Sequence, residues 1–153
     1  MKKLFALVLT LTSVLLLTGC GNKVTTAVCN NTDATGNKMT FDVSATNNEI
    51  DKIKMVVVPA NKSMNIESFK DVGDETKEAI KKAFLEEYGL EKDSYDGLKI
   101  TIEFDDEMTI TFEADLKVAD KELLKKIGMN FEGKDMDLER FVDDMEDQGY
   151  TCK

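Results

Sequence analysis

The chain has 153 residues, 42% hydrophobic and 33% charged, with a formal net charge of −10. It contains no histidine, no tryptophan and a single arginine, Arg140. The missing histidine excludes His-based triads, His metal ligands and the ordinary general base near neutral pH. The acid excess argues against nucleic acid, where Lys and Arg must meet phosphate.

Met1-Lys2-Lys3 is a basic start, and Leu4 to Leu17 is an apolar run broken only by Thr10, Thr12 and Ser13. A basic n-region, a short apolar h-region and a small residue before a cleavage point read as a secretory signal. The run is short for a membrane span, which takes ~20 apolar residues. Leu17-Thr18-Gly19-Cys20 resembles the lipobox of bacterial lipoproteins, in which the cysteine is lipidated and becomes the first mature residue. An uncleaved anchor, or a cleaved signal with an incidental cysteine, fits less well with a cysteine at the end of the h-region. The expectation is a signal peptide over 1–19, a lipidated N-terminus and short tether over 20–23, and one domain over 24–153. Loss of Lys2 and Lys3 takes the net charge from −10 to −12. Such a surface suits solubility and is repelled by anionic lipid.

With Cys20 assigned to lipid, Cys29 and Cys152 remain. Outside the cytoplasm a leftover pair points to a disulfide. Two inert buried thiols are the alternative.

Lys23 to Asn30 reads as a strand with Val24, Thr26 and Val28 on one face. Residues 30–37 are a turn by composition. Met39, Phe41, Val43 and Ala45 alternate with Thr40, Asp42 and Ser44, the period of a half-buried strand. Asn47-Asn48 is a tight-turn pair. Ile50 to Val58 is a third strand, stopped by Pro59. The three form an antiparallel meander, followed by a loop over 59–73.

Asp74 is the expected N-cap of a helix running to about Tyr88, with Gly89 ending it. Ile80, Phe84 and Tyr88 share a face, which Glu87 interrupts. Leu98, Ile100, Ile102 and Phe104, then Met108, Ile110 and Phe112, alternate with polar residues around Asp105-Asp106-Glu107, which predicts a hairpin. Asp120 caps a short helix ended by Gly128. Asp137 caps another, with Leu138, Phe141, Val142 and Met145 on one stripe and Gly149 at its end. The order β-β-β-α-β-β-α-α predicts an α+β fold, a five-stranded antiparallel sheet with helices packed on one face.

The lipobox, the three-strand start, Asp74-Glu75-Thr76-Lys77-Glu78-Ala79, the Tyr95-Asp96-Gly97 approach to the hairpin and the final Gln148-Gly149-Tyr150-Thr151-Cys152-Lys153 together resemble the YehR-like family of small bacterial lipoproteins. The resemblance implies the α+β fold and an envelope location. It implies no reaction.

Catalysis finds little support in the residues. Bridged cysteines are poor nucleophiles, and no Ser-x-x-Lys set is present. Asp105-Asp106-Glu107 and Asp143-Asp144 sit in a predicted turn and on a polar helix face, where solvated charge is the simpler reading. Asp93-Ser94-Tyr95-Asp96-Gly97 and the acidic stretch over 134–139 do not match the twelve-residue calcium loop. Tyr88, Tyr95 and Tyr150 suit a ligand surface or half-buried packing. Met39, Met55, Met108 and Met145 fall at core-phase positions.

The chain is therefore expected to be a lipid-anchored, extracytoplasmic lipoprotein on the cell membrane. It serves as a non-enzymatic binding or envelope-accessory module, with no catalytic residues, no cofactor and no metal. Its partners are the membrane, through lipid on Cys20, and an unidentified envelope protein or small ligand. A carrier of a small ligand or cation, or an envelope enzyme using carboxylates, is the competing expectation.

Overall fold

The computed structural model describes residues 23–129 and 136–153. The strands are β1 (Val24–Thr32), β2 (Lys38–Thr46), β3 (Glu49–Val58), β4 (Ser94–Tyr95), β5 (Leu98–Phe104), β6 (Met108–Asp115) and β7 (Thr151–Cys152). The helices are α1 (Asp74–Glu87), α2 (Lys121–Lys126) and α3 (Leu138–Asp147), with two 3-10 turns between β3 and α1. Every strand pairing is antiparallel, in the order β4-β5-β6-β3-β2-β1-β7. The class is α+β as expected, but the sheet has seven strands rather than five. The two additional strands are two residues long, too short for a hydrophobic period to register.

The β1–β2–β3 meander follows its turn residues. Asn47 and Asn48 both take positive φ, 54° and 70°. That conformation matches strand twist in a two-residue hairpin, and Asn tolerates it. The register shifts between Ser44 and Ala45, pairing Ser44 with Lys52 but Ala45 with Ile50. Asp51 is the extra residue, so Ile50 and Ile53 both reach the core despite their odd spacing. On β1 the buried side chains are Ala27 and Cys29, while Val24 is open to solvent. The core face of this strand is thus the opposite one from the Val24, Thr26 and Val28 set.

One row across the sheet shows how the core is built. Cys29 opposes Phe41, Phe41 opposes Met55, Met55 opposes Phe112, and Phe112 opposes Ile100. The rings of Phe84 on α1 and of Tyr88 at its C-terminal cap meet Phe112 at centroid distances of 6.0 and 6.5 Å. Phe141 on α3 meets Phe41 at 6.0 Å. Both helices therefore cover the same face. Phe112 is 2% exposed, and truncating such a ring to Ala costs about 3–5 kcal/mol. No α1 side chain is fully buried, consistent with Glu87 breaking its stripe. On α3, Leu138, Phe141 and Met145 are buried.

The helix ends follow the sequence with one correction. Asp120 Oδ1 accepts from the Glu122 and Leu123 N–H groups, and Asp137 Oδ1 accepts from the Arg140 N–H. Asp74, expected as an N-cap, is instead the first helical residue, and Gly73 occupies the cap without a side-chain bond. Asp74 and Glu75 still place negative charge at the positive end of the helix dipole.

Candidate functional site

Cys20, the expected lipid-attachment residue, lies outside the described residues, as does the whole of 1–19. The described chain begins at Lys23, and Lys23 is held firmly. Its N–H donates to Asn47 Oδ1 at 3.1 Å, and its carbonyl accepts from the Asn47 N–H at 2.8 Å. The point where the tether would join the domain is thereby fixed to the β2–β3 turn.

The expected cysteine pair is a disulfide, Cys29–Cys152, with Sγ atoms 2.04 Å apart. The two residues face each other in register between β1 and β7. Val28 and Lys153 exchange two backbone hydrogen bonds of 3.0 Å beside them. Tyr150 adds its ring to Phe41 at 5.7 Å, and its hydroxyl donates to Met39 Sδ at 3.1 Å. Burial raises the Tyr150 pKa above the usual phenol value. The C-terminal tail is thus built into the sheet.

The face opposite the helices bears charge in register. Asp42 opposes Lys54, Lys54 opposes Glu113, and Glu113 opposes Lys99. Of these, Lys54 and Glu113 approach to 3.7 Å. This face carries an open groove of about 490 Å³ whose lining includes Asp42, Lys52, Lys54, Tyr95, Lys99 and Glu113. The Tyr95 hydroxyl is fixed by the Glu91 and Lys92 N–H groups at 2.8 and 3.2 Å. The groove was not legible from spacing alone, because β3 and β6 are neighbours in space and 50 residues apart in sequence. A second groove, about 470 Å³, runs between α1 and the edge of β5 past Glu78, Lys81, Lys82 and Leu85.

The turn carboxylates flagged by sequence serve structure. Asp105-Asp106-Glu107 is the β5–β6 turn, and its three acids are exposed. Lys70 Nζ lies 2.8 Å from Asp106 Oδ2 and 3.0 Å from Asp105 Oδ1, and Lys38 Nζ lies 2.9 Å from Glu107. The Lys70 hydrogen bond holds the Asp106 pKa below its usual value, and Asp106 raises that of Lys70 in return. Asp106 also accepts from Ser68 Oγ, and its carbonyl accepts from the Phe69 N–H and Asn61 Nδ2. The turn therefore pins the 3-10 segment that delivers Phe69, which is fully buried.

Asp93 gives its carbonyl to the Ile100 N–H, Ser94 and Tyr95 form β4, and Gly97 turns the chain at φ 72°. In the second acidic stretch, 134 and 135 lie outside the described residues, and Asp137 is a helix cap that also accepts from Asn48 Nδ2 at 2.8 Å. Among the described residues no three His, Cys, Asp or Glu side chains gather as metal ligands. No described helix is long and apolar enough to cross a membrane.

No protein-family model and no curated protein matches this chain. Among solved structures it is similar to the NMR structure of a protein from Streptococcus pneumoniae TIGR4, at 16% identity and a TM-score of 0.52. The match covers 100% of this chain and 99% of that one. At that identity the likeness speaks for the fold alone.

Proposed function

We propose that the protein is a lipid-anchored, extracytoplasmic lipoprotein acting as a non-enzymatic binding or envelope-accessory module of the YehR-like type. The observation that carries the reading is Leu17-Thr18-Gly19-Cys20 at the end of an apolar run, directly before a domain closed by the Cys29–Cys152 disulfide. A disulfide of this kind belongs to an oxidising compartment. Diacylation of one cysteine supplies two chains, which anchor stably where one chain is marginal. Asp105, Asp106, Glu107 and Asp137 are engaged in a turn, a helix cap and surface ion pairs, which supports binding over carboxylate catalysis.

A second reading, a carrier of a small polar ligand, draws on the groove of about 490 Å³ on the helix-free face. Its volume falls within the ~300–1,000 Å³ of small-molecule sites, but it is an open surface groove, where such sites enclose most of their ligand. The module reading is preferred for that reason.

Metabolic labelling with a clickable fatty acid tests the anchor. Wild-type protein should take up label and Cys20→Ser should not. Label retained on the serine variant overturns the lipoprotein reading.

A further inference from the structure

We propose that the Lys23 end of the sheet is a membrane-apposed surface, with Val24 and Val118 entering the interface of the phospholipid bilayer; this rests on the lipid-anchored reading of Cys20. The exposed large apolar side chains among the described residues are Val24, 64% exposed, and Val118, 59% exposed. They come from distant parts of the chain and sit at the same end of the fold. Val24 opposes Thr46 at the start of β1. The loop after β6 that carries Val118 is tied to the start of β3. The Leu116 N–H donates to the Asp51 carbonyl at 2.8 Å, and Lys117 Nζ reaches Asp51 Oδ2 at 3.2 Å. Thr46 Oγ1 donates to the same Asp51 oxygen at 2.6 Å. Thr46 and Lys117, the respective neighbours of the two valines, thus converge on one carboxylate.

Chain length identifies what covers this end. Only Gly21 and Asn22 lie between Cys20 and Lys23, a reach of about 10 Å when fully extended. Lys23 is itself bonded to Asn47, so the domain contributes no slack. Lipid on Cys20 then draws this end, and no other, onto the bilayer. Isolated exposed apolar side chains are ordinary. Here both fall where a short tether places the hydrocarbon boundary.

The charge at this end is mixed. Lys23 and Lys117 stand with Glu49, Asp96 and Asp120. The contact is therefore apolar and independent of anionic lipid. The strands stand away from the membrane, and the β1–β2 and β5–β6 turns lie at their far ends, about 30 Å out for strands of nine or ten residues.

The chain has no tryptophan, so one introduced indole reports alone. Val118→Trp and, as a far-end control, Lys62→Trp are expressed from the whole coding sequence, purified from membranes in detergent, weighed by mass spectrometry and reconstituted into phosphatidylcholine vesicles with and without brominated acyl chains. Val118→Trp should shift to the blue and be quenched by bromolipid several-fold more than Lys62→Trp, with no change on adding phosphatidylglycerol. Equal quenching of the two in protein whose mass shows acylated Cys20 overturns the apposition alone. A mass without acyl groups overturns the anchored reading and the apposition with it. A blue shift that follows protein density rather than bromolipid content assigns the patch to a second copy of the chain and likewise overturns the proposal.

Discussion

Cys152 lies directly opposite Cys29 across the β1–β7 pair, bonded to it through sulfur and 123 residues away in sequence. Closing so long a loop removes unfolded-state entropy worth up to about 4–5 kcal/mol in the chain-entropy model. The β7 pairing itself spans two residues, so the bridge supplies much of what holds the tail. The paired Cys29→Ala and Cys152→Ala variant should unfold at markedly lower urea than the wild type. It should also free Tyr150 from its place on Phe41. An unchanged midpoint in the reduced and oxidised proteins would contradict the stapling role.

Asp33 shapes the β1–β2 turn. Its Oδ1 accepts from the Thr35 N–H, the Thr35 hydroxyl and the Asn37 N–H at 2.8, 2.7 and 3.0 Å, and its Oδ2 accepts from Asn37 Nδ2 at 2.8 Å. The Thr35 side chain, followed by that of Asn37, lowers the Asp33 pKa from 3.8 to about 2. A depressed folded pKa favours the carboxylate in the fold. Its stabilisation is complete above about 4, the unfolded value, and is lost as pH falls through about 2. Titration of the Asp33 side chain followed by NMR should show the low midpoint, and Thr35→Ala should raise it. A wild-type midpoint near 3.8 would break the link between the turn and its hydrogen bonds.

Among the described glycines, Gly97 is the one where a side chain is least tolerable. Its φ is 72°, and a Cβ there would overlap the Ala119 backbone nitrogen and lie 2.8 Å from the Ala119 Cα. The left-handed conformation and the clash each cost about 1–3 kcal/mol. Gly97→Ala should therefore destabilise by about 2–6 kcal/mol in denaturant unfolding. Gly128→Ala meets no neighbouring atom and should lose only the smaller cost of its positive φ. Equal losses at the two sites would mean that the Ala119 backbone yields freely.

Local chemistry was well marked in the sequence. The period-2 runs at 39–45 and 98–112, the Asn47-Asn48 turn, the caps at Asp120 and Asp137 and the terminal glycines all depend on near neighbours. What depended on distant neighbours was not marked. Ala27 and Cys29 face the core because β2 and the disulfide fix the register of β1, although Val24 and Val28 are the more apolar pair. Ile50 and Ile53 share the core because Asp51 is bulged out. The charge ladder Asp42–Lys54–Glu113–Lys99 and the meeting of Thr46 and Lys117 at Asp51 required the strand order. That order brings β3 beside β6. For the same reason Asp106 reads as a bare turn acid until Lys70, Ser68 and Asn61 are seen around it.

Asp137 joins α3 to the sheet in two ways at once. One carboxylate oxygen caps the helix through the Arg140 N–H at 3.0 Å, and the other accepts from Asn48 Nδ2 at 2.8 Å. The Leu138 N–H then donates to the Asn48 carbonyl at 2.9 Å. Asn48 is one of the two turn residues with positive φ, so the cap and the turn support each other. Loss of a cap costs about 1 kcal/mol, and loss of a partly buried side-chain hydrogen bond adds about 1 kcal/mol. Asp137→Ala should cost about 2 kcal/mol. Asp137→Asn keeps a capping oxygen, and its amide can no longer accept from Asn48 through the second atom. It should cost about half as much. In hydrogen exchange, the alanine variant should speed the amides of α3 and of residues 46–49 together. Faster exchange in α3 alone would reduce Asp137 to a helix cap and remove its link to the β2–β3 turn.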